Sequence, residues 1–346
     1  MGAFSKKIIA WQERDGRNDL PWQGTRDAYR IWVSEIMLQQ TQVTAVIPYY
    51  QRFMQRLPDL SSLARAPVDD VMQLWAGLGY YARARNLHKA AKVVAGQHGG
   101  VFPDEFEAIH ALPGIGRSTA AAIAAFAYGQ RRAILDGNVK RVFARHFGIA
   151  GDVRAKPVED ALWSIAEEQL PKVDIERYTQ GLMDLGATVC TRTQPTCLLC
   201  PLSKNCVAFN EGRVHELPGK GEKRETPHRQ TRMLVVLSHG EVLLEKRPPT
   251  GIWGGLWCLP ELPVEADVFD ALHRRYGVKG RIVRELARVE HGFTHYSLSI
   301  FPIEIAVTKS IPRTMEPGLI WLGLEEASQA AIPAPVKRIL ALHKKR

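Results

Sequence analysis

The chain has 346 residues, of which 45% are hydrophobic and 24% charged, and a formal net charge of +10. That length leads to an expectation of two domains, and the composition is that of a globular protein. The lack of any run of about twenty apolar residues excludes a membrane-spanning helix. The basic excess suits a polyanion partner, although solubility alone also accounts for it. Met1–Trp11 is charged and lacks the apolar core of a signal peptide, so a cytoplasmic location is expected.

In chain order, residues 1–208 read as a helical domain. Ile31, Trp32, Ile36, Leu38, Val43, Val46, Ile47 and Tyr50 recur at three- and four-residue steps, which predicts one amphipathic helix over Ile31–Phe53, bent near Pro48. Glu35 falls one turn after Ile31 and before Leu38, toward the apolar side. Burial there raises a carboxyl toward neutrality, as a general acid needs; a glutamate that snorkels or pairs with an arginine is the plainer reading. Further helices are expected at Val68–Trp75, Ala84–Ala95, Thr119–Tyr128, Val139–Phe147, Val158–Gln169 and Tyr178–Leu185.

Residues 104–127 read as helix, turn, helix. Asp104 and Glu107 have capping-box spacing. The turn Leu112-Pro113-Gly114-Ile115-Gly116 leads into Arg117-Ser118-Thr119 and an alanine-rich helix. Gly114 and Gly116 leave the turn bare, so its amides and the next helix N-terminus suit a phosphate; a simple helix–helix turn is the alternative. Asp136, in Leu135-Asp136-Gly137-Asn138-Val139-Lys140, precedes a helix and reads as its N-cap, with Asn138 free to share the work.

Cys190, Cys197, Cys200 and Cys206 follow as C-x6-C-x2-C-x5-C, four of the chain's five cysteines within seventeen residues. Only one pair is tight, which suits a cubane cluster with one thiolate per iron better than zinc. Zinc and disulfides remain open on spacing alone. Cys258, beside Trp257 and Leu259, reads as a core residue.

Residues 209–228 are polar with Gly and Pro and read as a linker. Residues 229–346 turn strand-like. Met233–Leu237 and Val242–Lys246 flank the hairpin signal Ser238-His239-Gly240-Glu241, with strands at Ile282–Val289 and Ser297–Val307. Helices at Asp267–Tyr276 and Val336–Lys344 make this part α+β.

Together, Ser34-Glu35-Ile36-Met37-Leu38-Gln39-Gln40-Thr41, LPGIGRSTA, LDGNVKRV and the cysteine pattern resemble the helix-hairpin-helix DNA glycosylases with an iron–sulfur cluster, and most nearly their MutY-type adenine DNA glycosylase branch. The resemblance covers the whole chain. It implies a mainly α catalytic domain with a [4Fe–4S] loop over 190–206, followed by a Nudix-like domain. It implies a monofunctional enzyme that flips adenine out of duplex DNA opposite 8-oxoguanine or guanine and hydrolyses its glycosidic bond.

Carried over by motif, Glu35 protonates adenine, Asp136 stabilises the sugar cation and Asn138 orients the pair, a logic like that of two-carboxylate glycosidases. Gln40, Thr41, Leu78 and Tyr80 match positions near the base stack, with a core aromatic the plainer reading of Tyr80. Gly114, Gly116 and Lys140 match DNA contacts. Ser118 stands where strand-cutting relatives carry a lysine. Phe293-Thr294-His295 matches a lesion-reading loop, with Thr294 in place of serine, and the Nudix box is missing. The resemblance places the protein at the nucleoid; a monomer is expected. The alternatives are an endonuclease III-like glycosylase/lyase for oxidised pyrimidines and a noncatalytic zinc-containing DNA-binding module.

Overall fold

The computed structural model describes residues 2–219, 221, 226–293, 296–310 and 317–344; Thr294 and Thr294's neighbour His295 lie outside the described residues. The chain gathers into two compact units, Met1–Arg65 with Asn86–Lys223, and Ala66–Arg85 with Arg224–Arg346.

The first unit is helical: α1 (Ala3–Asp15), α2 (Ala28–Leu38), α3 (Val43–Arg56) and α4 (Leu60–Arg65). Next, α5 (Val68–Trp75) and the start of α6 (Ala82–Gln97) belong to the second unit. The rest of α6, α7 (Phe106–Ala111), α8 (Arg117–Tyr128), α9 (Gly137–Phe147), α10 (Lys156–Glu168), α11 (Ile175–Asp184) and α12 (Val207–Asn210) complete the first. Helix α8 is its axis. Ala120, Ala121, Ala122, Ala124 and Ala125 are all buried, and their small side chains let α2, α7 and α11 approach closely.

Two local expectations are corrected. Ile31–Phe53 is two helices, not one bent at Pro48. The chain breaks at Gln39–Gln42, where Gln40 is left-handed at φ 56°, and Pro48 sits inside α3. One proline removes one backbone bond, whereas a left-handed residue ends the ladder. The break is braced from outside, as Gln39 Nε2 donates to Thr119 Oγ1 at 3.3 Å. The capping box at Asp104 does not form either. Helix α7 starts after Glu105 without a side-chain cap, and the Asp104 carbonyl accepts from Gln130 Nε2 at 2.7 Å.

The second unit is a mixed sheet with strands β1 (His228–Ser238), β2 (Glu241–Lys246), β3 (Trp257–Cys258), β4 (Glu261–Leu262), β5 (Val278–Glu285), β6 (Val289–Gly292), β7 (Ser297–Ser310) and β8 (Leu319–Gly323). The order is β3-β2-β1-β7-β5, with β4 on β1, β6 on β7 and β8 on β2. Among the described residues of the sheet, only the central pair β1–β7 is parallel. The β1–β2 hairpin turns through His239 and Gly240, at φ 50° and 86°, the conformation a two-residue hairpin needs. The expected strand Ile282–Val289 is divided between β5 and β6, both paired to the unbroken β7.

Helix α13 (Val268–Tyr276) is capped by Asp267, closes at the left-handed Gly277, and packs Leu272 on Leu234, Leu243, Ile303 and Ile305. Helices α14 (Leu324–Gln329) and α15 (Ala334–Lys344) complete the unit. Cys258 is fully buried, as expected. No helix among the described residues is long and apolar enough to cross a membrane.

Candidate active site

Glu35 lies near the end of α2 between buried Ser34 and Ile36. Its side chain keeps partial access to solvent, yet no hydrogen bond or ion pair reaches its carboxyl among the described residues. Burial pushes that carboxyl up to about 8, and the nearby charge of Asp136 adds to the shift. The charge of Asp136 acts on Glu35, which puts the two carboxyls in one electrostatic site.

Asp136 is the N-cap of α9. Its Oδ1 accepts from the Val139 N–H at 2.8 Å, and Asn138 Nδ2 lies 3.5 Å from Oδ2. Burial raises this carboxyl as well, but the Val139 and Asn138 donors and the charge of Arg141 oppose the rise. The pair is therefore unequal: one carboxyl without donors, the other with several. That inequality separates a proton carrier from an anion.

Asn138 joins this arrangement to the next element. Its Oδ1 accepts from Arg141 Nη2 at 2.8 Å, and Arg141 also donates to the carbonyls of Gly186 (2.6 Å) and Cys190 (2.7 Å). Gly186 belongs to a π-helical turn, Leu185–Val189, that continues α11. A Cβ at Gly186 would sit 2.6 Å from the Asn138 Cβ, so only glycine lets this turn close on the start of α9. Arg141, Gly186 and Gln39 escaped the sequence reading. Arg141 is the only one with a signal there, through its i+3 spacing from Asn138.

Ser118 opens α8, and its Oγ accepts the Leu135 N–H at 3.0 Å, which holds the segment leading to Asp136. Lys140 is turned to α10: its Nζ pairs with Glu159 at 2.6 Å and touches the Val153 carbonyl at 3.4 Å. The two turn glycines differ in purpose. Gly114 has φ 83°, and a Cβ there would meet Asn86 Cβ at 2.7 Å; Gly116 caps α8 with open space around it. Gln40 is exposed and Thr41 half-buried at the break after α2.

Leu78 and Tyr80 belong to the second unit. Leu78 is buried, whereas Tyr80 is 47% exposed with a left-handed backbone at φ 49°, so it is no core aromatic.

The four cysteines are free thiols lining one cavity with Arg145 and Leu202. Burial raises Cys197 and Cys206, and pushes Cys200 up to about 12. Among the described residues no three Cys, His, Asp or Glu side chains form a single-ion site. Arg145 is 2% exposed. It donates to the carbonyls of Leu217 (2.8 Å), Thr191 (2.7 Å) and Arg192 (3.2 Å), and to Cys190 Sγ at 3.4 Å, with no carboxylate partner among the described residues. A cavity with four thiols at its wall and an unneutralised cation beside it fits an anionic, multi-atom cluster better than a lone zinc ion.

The chain is similar to known proteins over both parts. Residues 33–168 match the family described as HhH-GPD superfamily base excision DNA repair protein, and residues 232–342 match the NUDIX domain. The chain is 37% identical to an adenine DNA glycosylase of Buchnera aphidicola subsp. Acyrthosiphon pisum, over 99% of this chain and 98% of the relative. It is 33% identical to the adenine DNA glycosylase of Mus musculus, over 99% of this chain and 78% of the relative. Among solved structures, a thermostable thymine-DNA glycosylase matches with TM-score 0.55 and 32% identity, over 60% of this chain and 95% of that one.

Proposed function

The chain belongs to the adenine DNA glycosylase family, and from that membership we propose how its residues release adenine. The enzyme flips adenine from a duplex in which it faces 8-oxoguanine or guanine. Glu35 enters the reaction protonated and gives its proton to the departing base, then assists the attacking water. Asp136 stays ionised and stabilises the positive charge that develops on the sugar. Asn138 positions Asp136. The observation that supports this division is the unequal pair described above: Glu35 held near 8 without a donor, Asp136 supplied with several.

Ser118 carries a hydroxyl where an amine would be needed for a Schiff base, and Lys140 is paired with Glu159, so base removal proceeds without an efficient strand nick. The amides at Gly114 and Gly116 hold a DNA phosphate, and Gln40, Thr41 and Tyr80 approach the bases. Cys190, Cys197, Cys200 and Cys206 hold one [4Fe–4S] cluster, which when bound orders the loop and brings Arg192 and Lys204 toward phosphate. The sheet domain, with Thr294 and His295, reads the oxidised guanine. The protein works as a monomer in the cytoplasm, at the nucleoid.

The test is a duplex with one A:8-oxoguanine pair, incubated with enzyme and then treated with alkali. Cutting of the adenine strand only after alkali is expected, and its absence in Glu35→Gln. Full-speed adenine release by Glu35→Gln would overturn the assignment.

A further inference from the structure

A turn and an aromatic pair of the second unit are joined by a continuous set of contacts. The first is Gly77–Tyr81, built to present one side chain. Gly77 and Gly79 are left-handed, and Tyr80 shares that conformation without being glycine. Trp75 Nε1 and Arg83 Nη2 both donate to the Gly79 carbonyl at 3.2 Å, and the Arg83 guanidinium lies 5.5 Å from the Tyr80 ring centre. The second element is the aromatic pair Phe293 and Tyr296, whose rings stack at 4.4 Å and whose backbones share a 2.8 Å hydrogen bond.

Between them stand Arg85 and Trp253. Arg85 Nη1 donates to the Gly254 carbonyl at 2.5 Å. The adjacent Trp253, buried and left-handed at φ 54°, packs its ring 5.5 Å from Phe293 and 5.7 Å from His291. A second tie runs from the helix before the turn. Asp69 of α5 pairs with Lys246 of β2, and Gln73 Nε2 donates to the Gln329 carbonyl at 3.3 Å. Segment 66–85 lies far from the sheet in sequence, yet it clusters with the sheet in space.

We propose that Arg85 and the Asp69–Lys246 pair are positioning residues that hold the Tyr80 turn in register with the stacked Phe293 and Tyr296, so that selectivity for the oxidised base depends on them. This rests on the reading that the sheet domain recognises 8-oxoguanine and that Tyr80 meets the base stack. Contact with the oxidised base beside Phe293 and Tyr296 then sets where Tyr80 enters; packed side chains and hydrogen bonds are the physical carriers of such coupling, and the double substitutions below test it.

The experiment compares single-turnover adenine release opposite 8-oxoguanine and opposite guanine, for wild type, Arg85→Met, Lys246→Glu and the exchanged pair Asp69→Lys/Lys246→Glu. The ratio of the two rates is expected to fall about tenfold in Arg85→Met and Lys246→Glu, with release opposite guanine kept within about twofold. The exchanged pair restores most of the ratio. In a Tyr80→Ala background neither substitution lowers the ratio further, because the path they serve is already cut. If Arg85→Met fails to fold, Lys246→Glu and the exchange decide. An unchanged ratio in both folded variants overturns the proposal, as does equal slowing on both duplexes or a loss that adds to that of Tyr80→Ala. A wild-type enzyme that releases adenine equally from both duplexes overturns the lesion-reading premise, a result distinct from a selective wild type that the variants leave selective.

Discussion

The carboxyl site and the cysteine cavity flank the same helix, α9, and present opposite electrostatics. At the first, a half-buried acid lacks donors, and Glu35 is pushed up to about 8. At the second, a cation is buried without an acid, since Arg145 has carbonyls and a thiol but no carboxylate around it among the described residues. An unpaired ionisable group in a protein interior is costly. In the proposed function each is matched to something the polypeptide does not itself provide: a base that takes a proton from Glu35, and an anionic cluster whose charge Arg145 balances.

The strongest challenge to this contrast is Glu35→Gln. It should lower single-turnover adenine release by about 10²–10⁴-fold, the usual worth of a positioned proton donor. Duplex binding measured in parallel should stay near wild type. Next comes Arg145→Met, which removes the charge and keeps the bulk. Partners around a metal group's ligands are typically worth about 10–100-fold in affinity, so iron content and visible absorbance of the purified variant should fall accordingly, while a similar substitution at exposed Arg274 leaves both unchanged.

The third test uses pH. Glu35 has a folded-state value above its ordinary 4.5, so the folded protein holds a proton that the unfolded chain has lost. The cost of keeping it grows as pH rises from about 4.5 to about 8. Glu35→Gln should therefore be the more stable protein at pH 7, by on the order of 2 kcal/mol, and should match wild type below pH 4.5, as chemical denaturation at both pH values would show. Wild-type base release should fall as pH rises through about 8, where the donor loses its proton. The smallest effect belongs to Ser118→Ala. Losing the acceptor for the Leu135 N–H should cost about 1 kcal/mol, read from denaturant midpoints, with a modest slowing of release because the segment before Asp136 loosens.

Residue spacing located several of these features because it reports on local geometry. Ile31, Glu35 and Leu38 share one helix face whatever surrounds them, and Asp136 before Gly137–Phe147 is a cap by the same local rule. The break at Gln40 was hidden, because apolar spacing continues across it and only the contact from Gln39 to Thr119 marks where the chain turns. Arg145 reads in sequence as one more surface cation, since nothing in a linear string shows that carbonyls from residues 191, 192 and 217 close over it.

By itself, the sequence determined what local chemistry can determine: a helical part and a strand-bearing part, four cysteines held close along the chain, an acid on an apolar helix face, and an aspartate poised to start a helix. Only the tertiary structure decided that Glu35 and Asp136 share one electrostatic site, that Lys140 is taken up by Glu159, and that segment 66–85 packs with the sheet rather than with its neighbours in sequence. Those outcomes depend on contacts between residues dozens to hundreds of positions apart. Their energies come from burial and pairing in the assembled interior, which no stretch of chain carries alone.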